Sequence, residues 1–272
     1  MNQFRILNIQ QVLESENSFI SENSQDKILK IAGRAIANYI LKKFKKKKIL
    51  FICGPGNNGI DGVMASEFLE RKKKKSTTFL VTHEIKKNWV PKLKNLFESH
   101  DILFDCIFGT GLNRKVSKQY NDIIKLINKS KKTTVSIDIP SGINGNTGKI
   151  NGIAVESDLT LAMGFYKPAH FLLPSKNQCG KVELINLKLK IPKKCDPKIH
   201  LISSNHFKKF IPRFDLNVHK YIKGHTAVIG GEMSGASRLA AFSARKIGCG
   251  LSTLFVEEKN IKPKEGLMIL FD

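Results

Sequence analysis

Four short clusters of glycines and oxygen-bearing side chains are the part of this 272-residue sequence best equipped for chemistry. They are Gly54-Pro55-Gly56-Asn57-Asn58-Gly59-Ile60-Asp61-Gly62, Gly109-Thr110-Gly111-Leu112-Asn113-Arg114-Lys115, Asp138-Ile139-Pro140-Ser141-Gly142 and Gly164-Phe165-Tyr166-Lys167-Pro168. Glycines let a backbone approach a ligand closely. Phosphate-cradling loops depend on bare N–H groups at a helix start, whereas Asn57, Asn58 and Asp61 add carbonyl and carboxylate oxygens suited to hydroxyl groups and hard cations. Asp138 is the candidate acid/base, and a turn-capping aspartate is its plainer reading. Asp105 interrupts the apolar run Ile102-Leu103-Phe104 and Cys106-Ile107-Phe108; a carboxylate there is costly to bury unless it is paired or bound to a cation. Lys167 reads either as a solvated loop lysine or as a charge aimed at a substrate phosphate. Ser141 reads as a helix cap or a cation ligand.

Each cluster follows a short apolar run. Strands are expected at 49–53, 77–82, 102–108, 133–137, 159–163 and 182–187. Helical spacing falls at 28–41, 62–71, 89–99 and 120–128. Alternation of this kind predicts a doubly wound parallel sheet, and parallel strands carry their C-terminal loops to one rim. The last two strands have short, Gly-containing connections, which suggests an antiparallel edge or meander. Past a Pro-punctuated stretch, a second α/β start appears: strand 226–229, helix 237–246 and strand 251–256. About fifty residues cannot bury both faces of a sheet alone.

Composition limits the choices. A hydrophobic fraction of 41% supports a core. The five widely spaced cysteines contain no CxxC pair and read as buried free thiols in a reducing cytosol. No run reaches the roughly 18 apolar residues of a membrane span. With 46 Lys+Arg against 23 Asp+Glu the chain carries a formal charge of +23. Its lysine runs at 42–48 and 71–75 each close a helix just before a strand, where cations complement the macrodipole. They therefore sit at the rim opposite the four clusters. A solvated lysine face is the plain reading, with weak non-specific nucleic-acid contact beside it.

Gly54-x-Gly56-x-x-Gly59 also satisfies a dinucleotide fingerprint. Against a nicotinamide-dependent dehydrogenase, Asp61 would repel a bound pyrophosphate, and Glu84 is the one acidic residue offered after the second strand. No P-loop sequence occurs.

Taken together and in order, Gly-Pro-Gly-Asn-Asn-Gly-x-Asp-Gly, Asp-x-Ile-Phe-Gly-Thr-Gly, Asp-Ile-Pro-Ser-Gly and Lys-Pro-x-x-x-x-x-Pro resemble the NAD(P)H-hydrate epimerases. The helix bearing Ala32-Gly33-Arg34-Ala35 is similar to that family's N-terminal helix. The resemblance implies a Rossmann-like three-layer α/β/α sandwich and a metabolite-repair reaction that interconverts the R and S epimers of hydrated NADH and NADPH. Carried over by position, it implies substrate contacts from Asn57, Asn58, Gly59, Ile60, Asp61, Gly109, Thr110, Gly111, Leu112, Asn113, Arg114, Lys115 and Asp138. It further implies potassium ligation by Asn58, Asp105 and Ser141, and catalysis by Asp138 with Lys167. Ile60 departs from the pattern, standing where that family usually has glycine; were φ positive there, it would be strained. The later segments His219-Lys220, Gly224-His225-Thr226-Ala227-Val228-Ile229-Gly230-Gly231 and Gly248-Cys249-Gly250-Leu251 resemble the start of the ribokinase-like NAD(P)H-hydrate dehydratases. The resulting expectation is an epimerase domain at 1–200, a linker at 201–218 and an incomplete, inactive, poorly packed dehydratase start at 219–272. The expected partner is the small-molecule substrate in the cytoplasm, without a membrane, and a homodimer is compatible with the sequence. A non-catalytic scaffold whose basic face engages nucleic acid is the competing class.

Overall fold

The structure, a computed structural model, describes residues 5–82, 89–202, 207–208, 210–211, 217–231, 234–256 and 268–271. It divides into two compact units, 1–203 and 204–272.

In the first unit, strand β1 (Arg5–Ile6) leads into helices α1 (Ile9–Glu22) and α2 (Gln25–Lys43). Strand β2 (Ile49–Cys53), helix α3 (Asn57–Arg71), strand β3 (Ser76–Leu80), helix α4 (Trp89–Ser99), strand β4 (Ile102–Cys106), helix α5 (Lys118–Lys129) and strand β5 (Thr133–Ile137) then alternate. Strands β6 (Leu159–Met163) and β7 (Lys181–Ile185) complete the main sheet, and β8 (Ile199–His200) pairs antiparallel with β1. The six main strands run in the order β3-β2-β4-β5-β6-β7, every pair parallel.

The apolar side chains of the central strands alternate between two cores. Phe51 and Phe104 face α1, α2 and α3 with Ile36, Ile40 and Leu69. Leu50, Ile52 and Leu103 face α4 and α5 with Leu93, Phe97, Ile123 and Ile127. That is the three-layer Rossmann-like sandwich expected from the sequence.

Two expectations change. The edge is parallel rather than a meander: the β5–β6 and β6–β7 connections are long enough to cross over, although they are built from turns and the short 3₁₀ segments Pro168–His170 and Ser175–Gln178 instead of full helices. Helix α3 begins at Asn57, five residues before the expected start, so most of the first cluster is helical. Ile60 N–H donates to Gly56 O at 3.1 Å, and Ile60 is absent from the residues with positive φ. The anticipated strain therefore does not arise.

Helix α1 was not anticipated from the sequence. It starts in a capping box in which Asn8 and Gln11 satisfy each other's backbone N–H groups.

The second unit holds β9 (His225–Ile229), α6 (Ser234–Ile247), β10 (Leu251–Val256) and β11 (Met268–Phe271), a parallel sheet in the order β11-β10-β9. Val228 packs with Ala241, Leu254 and Val256. The alternate residues His225, Ala227 and Ile229 are exposed, Ile229 at 86%.

Candidate active site

The strand order reverses between β2 and β4, and in doubly wound sheets the crevice beyond the strands' C-terminal ends at that reversal is the ligand site. A cavity of about 860 Å³ opens there, within the roughly 300–1,000 Å³ typical of small-molecule sites. Asn57, Asn58 and Asp61 line it from α3, residues 107–117 from the loop after β4, Asp138 from the end of β5 and Met163 from the end of β6. Gly59 and Ile60 do not line it. A Cβ on Gly59 would sit 1.8 Å from Gly54 O, so that glycine is required by the packing of the helix start on its loop. Ile60 is 36% exposed.

Asp138 is held in the left-handed region at φ 68, a conformation that side-chain-bearing residues adopt mainly where surroundings enforce it. The enforcement is visible. His170, fully buried, takes the Lys167 N–H on Nδ1 at 3.0 Å. That fixes the proton on Nε2, which donates to Asp138 O at 2.7 Å. Burial, with the nearby Lys167 charge, pushes His170 down to about 4, so it stays neutral. Lys167 is 1% exposed. Its Nζ donates to Asp138 Oδ1 and, at 2.7 Å, to Met163 O. Oδ1 also accepts the Met163 N–H at 3.2 Å, whereas Oδ2 lies on the Gly109 side of the carboxylate. Lys167 is thus neither solvated nor extended toward a phosphate, which corrects both readings of it. An amine this deeply buried is stable only against a counter-charge, and Asp138 provides it.

Beneath the cavity floor lies Asp105, fully buried on β4. It accepts four hydrogen bonds: from Ser136 Oγ (2.7 Å) and Ser141 N–H (2.8 Å) on Oδ2, and from Ser141 Oγ (2.6 Å) and Ile107 N–H (3.2 Å) on Oδ1. Ser141 Oγ in turn accepts the Phe108 N–H at 2.8 Å, and Asn58 Nδ2 donates to Phe108 O at 2.8 Å. Residues Asn58 from the start of α3, Asp105 and Phe108 from the end of β4 and the loop after it, and Ser141 from the loop after β5 are therefore tied into one cluster. All of Asp105's donors are neutral, and burial raises its carboxyl despite them. A buried carboxylate among neutral oxygen-bearing groups is a donor set of the type that hard cations prefer.

The cavity is polarised. Glu16 on α1, Asp61 and Asp138 supply acidic groups, while Arg114 and Lys115 are the cations that line it. Asp61 Oδ1 is buried without a hydrogen-bond partner. Burial, then the Asp138 and Glu16 charges, pushes its carboxyl well above the usual range. Burial likewise raises Glu16, opposed by Lys167. Neither Glu16 nor the apolar wall formed by Leu13, Ile20, Ile28 and Leu29 was identified from the sequence. The Asn8-x-x-Gln11 box before an amphipathic stretch was the available signal for the helix carrying Glu16. Glu84 lies outside the described residues, and none of the described helices is long and apolar enough to cross a membrane.

Comparison with known proteins agrees with this geometry. A family described as YjeF-related protein N-terminus matches residues 25–89 and 80–169. A bifunctional NAD(P)H-hydrate repair enzyme of Dictyoglomus turgidum is 34% identical over 258 residues, covering 85% of this chain and 50% of that protein. An NAD(P)H-hydrate epimerase of Elusimicrobium minutum is 30% identical over 210 residues, covering 66% of this chain and 94% of that protein. The chain thus spans about half the length of the bifunctional relative. The crystal structure of yeast ynu0 superposes with a TM-score of 0.53 at 18% identity, over 66% of this chain and 87% of that one, a likeness of fold. With the family matched across more than half its length, and an epimerase relative across nearly all of that relative's, this chain belongs to the YjeF-related N-terminal family, the family of the NAD(P)H-hydrate epimerases.

Proposed function

We propose that the first unit epimerises hydrated NADH and NADPH, by acid–base chemistry at Asp138 and without redox change. The observation that carries this reading is the buried Lys167–Asp138 pair, which ties up Oδ1 and leaves Oδ2 on the Gly109 side of a cavity large enough for a small molecule. The step balances simply. Electron release from the ring nitrogen of the hydrated nicotinamide forms a C=N bond as the C–O bond breaks, and the departing oxygen takes a proton from the Asp138–Lys167 pair and leaves as water. Water then adds to either face, and the pair recovers its proton. Asp138, which faces the cavity, is the group that passes the proton, and Lys167 stands directly behind it. Proton transfer by a positioned side chain is typically worth roughly 10²–10⁴-fold.

Asp61 Oδ1, buried and unsatisfied, is suited to accept a substrate N–H or O–H. Arg114 and Lys115 take the role of phosphate contact that the sequence had offered to Lys167. Asn58, Asp105 and Ser141 would hold a potassium ion. When bound, it would supply a fixed positive charge against the buried Asp105 carboxylate. Residues 219–272 are read as the opening of a dehydratase half, joined through 201–218.

The test is conversion of purified R-epimer hydrated NADH, followed through an external S-specific dehydratase, with and without potassium. Acceleration above the spontaneous rate, stimulated by potassium, is expected. A folded protein giving only the spontaneous rate overturns the reading.

A further inference from the structure

The opposite rim of the first sheet carries a second concavity, of about 520 Å³. Its walls are the four lysines at 45–48, after α2, and the three at 73–75, between α3 and β3; Leu41 is the other residue lining it. Lys73, at φ 57, turns the chain across the end of α3. Lys74 Nζ then donates to Lys45 O at 3.0 Å and Lys47 O at 2.8 Å, fastening the two runs together. The other six lysines are exposed, and no ion pair among the described residues involves any of the seven. Asp101 lies close by; it accepts the Lys48 N–H at 2.7 Å, and its charge acts on Lys47, Lys48 and Lys74. One carboxylate beside seven lysines leaves the ammonium groups around the hollow repelling one another, and a multivalent anion relieves that repulsion.

We infer that this basin binds a phosphate chain, of the kind presented by a nucleic-acid backbone or by inorganic polyphosphate. Lysine ammoniums act as compact point charges toward phosphate. No aromatic side chain lines the basin, so bases have nothing to stack on and binding is blind to sequence. Leu41 aside, no apolar residue is available to enter a bilayer, which favours a chain of phosphates over a lipid surface. The basin lies at the rim away from the active-site cavity, so a phosphate chain and a small substrate can be bound together. This inference does not depend on the epimerase reading.

The test uses the full chain and a labelled oligothymidylate of about 20 nucleotides, read by fluorescence anisotropy at low salt. With about four phosphates neutralised, log K should fall against log salt with a slope of about −3. Lys46→Glu with Lys75→Glu is compared with Lys193→Glu with Lys194→Glu, which makes the same change in net charge outside the basin. The basin pair should weaken binding at least about tenfold and the outside pair less than about twofold. Lys46→Gln with Lys75→Gln should fall between them. Displacement by polyphosphate at lower phosphate concentration than by unlabelled oligonucleotide names polyphosphate as the source; the reverse order names nucleic acid. Equal losses in the two charge-reversal pairs, or no binding of the parent at low salt, overturns the inference. So does capture on phosphatidylserine vesicles where neither phosphate chain binds.

Discussion

The two rims of the first sheet are built from the same strands and carry opposite chemistry. At the C-terminal rim, two carboxylates are buried and matched: Asp138 against Lys167, and Asp105 against four donors. At the N-terminal rim, Lys45, Lys46, Lys47, Lys48, Lys73 and Lys75 stand in solvent without acidic partners in any described ion pair. The difference follows from chain direction. Helices in a doubly wound sheet end beside strand starts, where cations suit the helix dipole, while the loops after strand ends are free to converge on a ligand. Burial makes each charge on the first rim expensive to lose; solvent makes each on the second cheap to exchange.

That contrast breaks most sharply at Asp138. Asp138→Asn should lower the epimerisation rate by roughly 10²–10⁴-fold while leaving oligonucleotide affinity within about twofold of the parent. Full activity in the variant would remove the carboxylate from the mechanism. Next comes pH. His170 is depressed to about 4 in the fold against 6.5 ordinarily, so the unfolded chain binds the extra proton between those values. Stability that is present above about 6.5 is therefore lost as pH falls toward about 4, by a total on the order of 3 kcal/mol. Denaturant melts across that window should show the slope, and His170→Asn should flatten it. A wild-type slope unchanged in the variant would assign the effect elsewhere.

Ser141→Ala sharpens the comparison at smaller scale. It removes the hydroxyl bond to Asp105, a hydrogen bond to a charged group worth about 1.5–3 kcal/mol, and should weaken potassium stimulation more than it weakens the rate in potassium's absence. Equal effects would leave Ser141 a purely structural residue. The smallest change is expected at Ile60→Gly. Because Ile60 is an ordinary helical residue outside the cavity lining, glycine should cost about 0.5–1 kcal/mol of stability and leave turnover unaltered. A gain in turnover would bring the isoleucine back into question.

The parts legible in the sequence were those with one strong local cause. Ile49–Cys53, Thr133–Ile137, Leu159–Met163 and Trp89–Ser99 occur at the bounds that apolar runs and spacing predict, and the convergence of the loops follows from the parallel order. What was missed depends on contacts between distant residues. Asn57 begins a helix although its surroundings are glycine-rich, because Gly54 and Gly59 pack backbone to backbone. The β6 and β7 edge is parallel although its connections lack full helices. Lys167 reads as a surface residue until Asp138, twenty-nine positions earlier, is seen to enclose its charge. Glu16 belongs to a helix whose polar composition gives little sign that it walls a cavity.

Two open isoleucines among the described residues of the second unit have a colloidal consequence. Ile229 of β9 at 86% exposure and Ile247 at the end of α6 at 89% give concentrated solutions of this chain a hydrophobic handle that net positive charge holds apart at low ionic strength. Added salt screens that repulsion within roughly 10 Å at 0.1 M. Turbidity should therefore rise with salt, opposite to the trend for binding at the lysine basin, and the working buffer will select which of the two surfaces the molecule uses.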